Sequence, residues 1–120
     1  MRFTRVMTPR WPNWAVAACP NVTIKLGGIG MPRTGFDWHS REKPIGSEEL
    51  AAAMRPFITY CINQFGPGRC MFESNFPVDK VSFSYHVMYN AFKRLSLSYS
   101  AAERAQMFHD TAARVYRVPV

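Results

Sequence analysis

Between "NVTIKL" (Asn21 to Leu26) and "CMF" (Cys70 to Phe72) the apolar residues return at helical spacing, and this order narrows what the chain can fold into. Strand, helix, strand is the alternation of a parallel sheet, whose neighbouring strands need a crossover connection. The first strand is rich in β-branched residues and ends at Gly27, where "GGIGMPRTG" breaks it. A long polar loop follows, through Trp38, His39 and Pro44. The helix is expected to start at Ser47, an N-cap placed ahead of Glu48 and Glu49. Its buried face is Leu50, Met54, Phe57, Ile58, Cys61 and Phe65, and Gly66 with Pro67 stops it.

The second strand runs into "MFESNFPVDK" (Met71 to Lys80), an apolar start that turns into concentrated polar chemistry. Tyr85, Met88, Ala91, Phe92 and Leu95 then recur at intervals of three and four and predict a further amphipathic helix. Ser100-Ala-Ala-Glu103 is a capping box for the last one, with Ala105, Phe108, Ala112 and Val115 as its buried stripe. Two parallel strands cannot cover their own edges. The chain therefore requires a partner copy or a further amino-terminal portion, and unpaired edges invite self-association.

Length and composition suit one domain over 1–120: 120 residues, of which 48% are hydrophobic, are enough for a modest core. Fifteen Lys and Arg against eight acids give a net charge of +7, which raises nucleic acid as a partner. The bases are scattered and form no stripe. Nucleic-acid binding would need Arg2, Arg5, Arg10, Arg33 and Arg41 to converge on one face, because affinity for phosphate requires clustered contacts. Cys19, Cys61 and Cys70 are an odd number without metal-binding spacing, which points to a reducing, cytoplasmic setting. The longest apolar run, Trp14 to Cys19, is too short to span a membrane.

In parallel α/β proteins functional groups collect where strands end and loops begin. Two clusters meet that condition. One is the loop from Gly27 to Gly46, whose Trp38 and His39 are candidate substrate-binding residues. The other is Glu73, Ser74, Asn75, Phe76, Pro77, Val78 and Asp79. Glu73 and Asn75 are expected to share one side of the strand by its period of two. His39, His86 and His109 have no ligand spacing, and "GGIG" opens no phosphate-binding helix.

Four stretches, "ACPNVTIKLGGIGMP", "SEELAAAMRPFITYCINQFGPGRCMFESNFPVDK", "YNAFKRLS" and "AERAQMFHDTAARVYR", resemble the amidohydrolase-related family of metal-dependent hydrolases. The likeness spans roughly residues 14 to 117, leaving 1–13 unassigned. It implies an α/β fold, namely the carboxy-terminal part, about the last two βα units, of a (β/α)8 TIM barrel that usually runs to about 250 residues. It also implies a hydrolase acting on a small carboxylate, lactone or amide substrate through water activated at the barrel mouth, with a divalent metal, zinc, in the complete barrel. The HxH motif that opens such barrels is not in this sequence.

The family's last-strand motif reads approximately Gly-Ser-Asp-aromatic-Pro, and its Asp completes the metal site or acts as general base. In "ESNFP" that Asp position is Asn75, an amide that takes no proton at neutral pH. Asn75 and Glu73 are the catalytic candidates, Glu73 as a substitute carboxylate where the family has Gly. Asp79 is a second source of a carboxylate. Two other outcomes compete with catalysis: a truncated remnant without activity, and a small basic nucleic-acid binder.

Overall fold

The computed structural model describes residues 13–120. A short helix α1 (Asn13–Ala17) leads into β1 (Ile24–Leu26), and two single 3-10 turns, Pro32–Thr34 and Trp38–Ser40, shape the loop that follows. Helix α2 (Ser47–Phe65) crosses back to β2 (Cys70–Phe72). After β2 come a 3-10 turn at Val78–Val81, helix α3 (Tyr85–Leu95), helix α4 (Ala101–Ala105), a π-turn at Gln106–Asp110 and helix α5 (Thr111–Tyr116). Among the described residues no helix is long and apolar enough to cross a membrane.

β1 and β2 pair in parallel, with Ile24 beside Cys70, Lys25 beside Met71 and Leu26 beside Phe72. They form a two-stranded sheet among the described residues, so each strand keeps one open edge. The fold is thus α/β, with α2 as the crossover. Every residue of β2 is buried, which suits a strand covered on both faces, whereas β1 exposes Lys25. β1 is shorter than the sequence suggests. Asn21 to Thr23 lie outside the ladder, and Val22 instead donates its N–H to Cys19 O at 3.1 Å in a turn.

The core lies where α2 and α3 pack together over the strands, with Leu50, Met54, Ile58, Ile62, Met88, Phe92 and Leu95 buried along with Leu26 and Phe72. Phe72 stacks on Phe92 at 4.4 Å and meets Phe108 at 4.6 Å, tying both carboxy-terminal segments to β2. Both amphipathic faces match their spacing in sequence, although Tyr85 faces solvent.

Two helix starts differ from expectation. Gly46, not Ser47, is the N-cap of α2, and the Ser47 hydroxyl accepts a hydrogen bond from Arg94 Nε at 2.9 Å, joining α2 to α3. The capping box at Ser100 forms as read: Ser100 N–H donates to Glu103 Oε1 at 3.0 Å and Glu103 N–H to Ser100 Oγ at 3.1 Å. The stripe beyond it is displaced. Met107 and Thr111 are buried whereas Ala105 and Val115 are exposed; the π-turn adds a residue and so rotates Val115 relative to the turns before it.

At the amino ends of the strands one side chain gathers the backbone. The Arg69 guanidinium donates to Ala17 O at 2.7 Å, Cys19 O at 2.9 Å, Val22 O at 3.3 Å and Phe65 O at 3.0 Å. It also lies over the Phe65 ring at 5.3 Å. Nearby, Thr111 Oγ1 donates to Pro67 O at 3.3 Å and Arg114 Nη2 to Gly68 O at 2.6 Å.

Candidate functional site

Beyond Phe72 and Leu26 the two strands open into loops that close on each other. Glu73 N–H donates to Leu26 O at 3.1 Å, the last rung of the ladder. Gly27 lies against it so closely that a Cβ there would strike both the Glu73 backbone and its side chain. The Glu73 carboxylate meets Lys25 Nζ at 2.7 Å. That hydrogen bond and the carboxylate's charge raise the Lys25 pKa above its usual value.

The chain turns sharply at Asn75, which has φ 54°, a left-handed conformation that Asn tolerates better than most residues, and a cis peptide joins Phe76 to Pro77. Ser74 Oγ accepts from Phe76 N–H at 3.2 Å, and Asp79 N–H donates to Asn75 O at 3.0 Å. This compact turn brings the side chains of Asn75 and Asp79 together. Asn75 Nδ2 donates to Asp79 Oδ1 at 2.7 Å.

Asp79 is fully buried. Its other oxygen, Oδ2, accepts the Gly30 N–H at 3.0 Å, so one carboxylate joins the loop after β1 to the loop after β2. The Ser82 hydroxyl reinforces the same junction by donating to Gly30 O. Gly30 has no room for a side chain: a Cβ would come within 2.6 Å of Phe83 Cζ and 2.9 Å of Asp79 Cβ. Burial pushes the Asp79 pKa up, the hydrogen bonds from Asn75 and Gly30 oppose that rise, and the Glu73 charge adds to it.

The four sequence candidates take different places. Glu73 and Asn75 sit together at the strand ends but bind different partners, Lys25 and Asp79. Their expected shared side does not extend this far, because the extended backbone stops at Phe72 and alternation stops with it. Trp38 is buried, stacked on Phe36 at 4.3 Å and tilted against Phe83 at 6.0 Å. His39 is exposed. Asp79 is the centre of the network. The spacing Asn75-x-x-x-Asp79 and the glycines after β1 were the only signs of it in the sequence.

An aromatic group flanks this junction. Phe76 meets Tyr85 edge-on at 5.5 Å, and Tyr85 lies 4.7 Å from Tyr89. Burial first, then a hydrogen bond to Tyr85, pushes the Tyr89 hydroxyl pKa up to about 12.

Among the described residues no three His, Cys, Asp or Glu side chains converge as metal ligands. His39, His86 and His109 are all exposed, and His109 Nδ1 sits 2.9 Å from Asp110. With an amide at 75 and Glu73 held by Lys25, these residues do not by themselves fit a divalent ion. Of the bases whose convergence would favour nucleic acid, Arg2, Arg5 and Arg10 lie outside the described residues. Arg41 forks onto Glu49 at 2.8 and 3.3 Å.

A sequence model described as amidohydrolase matches residues 8–118. An L-fucono-1,5-lactonase of Burkholderia multivorans is 35% identical over 105 residues, covering 87% of this chain and 33% of that protein. An uncharacterised protein of Sinorhizobium fredii is 41% identical over 103 residues, covering 86% of this chain and 30% of its own length. A crystal structure of an amidohydrolase from Burkholderia multivorans with bound zinc superposes with a TM-score of 0.74 at 32% identity, covering 88% of this chain and 35% of that one. The chain thus spans about a third of the length of the relatives it matches.

Proposed function

This chain belongs to the amidohydrolase family, and from that premise we propose that it forms the closing two βα units of a TIM-barrel hydrolase acting on a lactone of a hydroxylated small acid. The observation that carries the reading is the junction of Gly30, Asp79 and Asn75. It unites both strand-end loops at the position where the family keeps its last carboxylate. The lactonase among the relatives supports the choice of substrate class.

In this reading Asn75 binds and Glu73 reacts. The amide at 75 accepts a hydrogen bond from a substrate hydroxyl or from the attacking water without taking its proton. Glu73, released from Lys25, accepts that proton as the water oxygen attacks the lactone carbonyl, and returns it to the ring oxygen as the ring C–O bond breaks, leaving an acid and an alcohol. Lys25 compensates the carboxylate's charge before attack. Trp38 and His39 border the substrate, Trp38 from the core and His39 from the surface.

The test is hydrolysis of a panel of sugar-acid lactones and small amides by the chain, alone and joined to the amino-terminal two thirds of a relative. Turnover that falls at least about a hundredfold in Glu73→Gln supports the reading. Turnover unchanged in Glu73→Gln would remove the base from it. A second reading, a barrel end without catalysis, draws on the amide at 75 in place of a carboxylate. It predicts no turnover in either form and a gain only in Asn75→Asp.

A further inference from the structure

The amide of Asn75 has two ends, and the fold has committed one of them. Asp79, when ionised, offers acceptors only, so the group facing it at 2.7 Å must be the NH2 of Asn75. Asp79 is itself held: it is fully buried, its second oxygen takes the Gly30 N–H at 3.0 Å, and its own N–H closes the turn onto Asn75 O at 3.0 Å. Gly30 is fixed in turn by Phe83, against which it leaves no free space, and by the Ser82 hydroxyl, which donates to its carbonyl. Neither partner can rotate without stranding a buried polar group.

We propose that Asp79 is a positioning residue that locks the Asn75 amide with its NH2 inward, leaving the carbonyl oxygen as a fixed acceptor for a hydroxyl-bearing ligand. This rests on the reading of position 75 as a binding position and specifies its ligand: a neutral donor, such as a ring hydroxyl of a sugar-acid lactone, in place of a group that must lose a proton there. Asp79 and Asn75 act as one carboxylate–amide pair. The pair should also work in reverse order, with the carboxylate at 75 and the amide at 79, because an amide at 79 can accept from Gly30 with its oxygen and donate to residue 75 with its nitrogen.

The first measurement uses the unaltered chain. The side-chain NH2 hydrogens of Asn75 should exchange with solvent at least about tenfold more slowly than those of exposed Asn63. Equal rates overturn the proposal. The second compares melting midpoints. Asn75→Asp sets two carboxylates in contact and Asp79→Asn sets two amides in contact, and each should lower the midpoint. The double substitution should recover at least half of the loss seen in Asn75→Asp. A double variant that loses the sum of the two single losses would mean that Asp79 serves packing alone. None of these readouts involves hydrolysis, so a chain without lactonase activity still tests the pair.

Discussion

At the amino ends of β1 and β2 a cation gathers carbonyl oxygens, whereas at their carboxyl ends an anion gathers N–H groups. Arg69 does the first from a half-buried position with four acceptors, and Asp79 does the second from full burial with the Gly30 amide and the Asn75 side chain. The difference is one of cost. A guanidinium partly in water keeps its charge at little expense, while a carboxylate without water depends wholly on its few donors. The Arg69 end can therefore serve stability alone. The Asp79 end spends stability to hold Asn75 in one orientation, as residues at functional sites commonly do.

Breaking the amino end should have the largest effect. Arg69→Ala removes hydrogen bonds to four carbonyls, of which Cys19 O keeps the Val22 N–H, and should cost about 3 kcal/mol in urea unfolding. It should also speed thiol labelling of Cys70, the next residue along the chain. Cys70 is buried, and that burial pushes its thiol pKa up to about 12, so in the unaltered chain exposed Cys19 should label first. If labelling of Cys70 rises no more than in variants of the carboxyl end, the two ends are not separate.

The carboxyl end comes next. Gly30→Ala drives a methyl into Phe83 and Asp79 and should cost about 2 kcal/mol, with Cys70 still protected. Acidification acts there with a sign opposite to that of ordinary acid unfolding. Because the folded-state pKa of Asp79 is raised, the folded chain binds that proton more tightly than the unfolded one. Its contribution to stability is unfavourable at neutral pH, improves as pH falls through the folded pKa, and is complete below the ordinary value of 3.8. The midpoint of the unaltered chain minus that of Asp79→Asn should therefore rise on acidification, and a falling difference contradicts the burial argument.

Two smaller changes calibrate the scale. Ser100→Ala removes the capping box, which touches neither Arg69 nor Asp79 by a hydrogen bond, and should cost about 1 kcal/mol. Lys25→Met removes an ion pair whose lysine is half exposed, and should shift stability by about 0.5 kcal/mol or less in denaturant titration.

The contrast also explains what could be read in advance. The α2 and α3 faces were legible because burial recurs with the helical period, so Leu50, Met54 and Ile58, or Met88 and Leu95, announce themselves by spacing. The parallel pairing followed from element order, and the amide at 75 stood out against the family motif. Arg69 did not, because a positive charge in a sequence does not say which carbonyls will surround it. Burial of Asp79 was equally silent, since it depends on a glycine forty-nine residues away. How deeply Trp38 packs, against Phe36 and Phe83, was silent too, since residue type alone does not decide burial. The displaced stripe of the last helix was hidden because Gln106–Asp110 carries no Gly or Pro to mark its irregular turn.

That π-turn bears on how the chain tolerates changes of length. It holds one residue more than a regular helix needs, so a single-residue deletion within Gln106–Asp110 is the rare indel that would make the backbone more regular. Regularity would come at the expense of aim. Everything downstream would swing by about 100°, the angle of one helical residue. Thr111 and Arg114 would turn away from Pro67 and Gly68, undocking the chain's terminal helix from the turn that feeds β2.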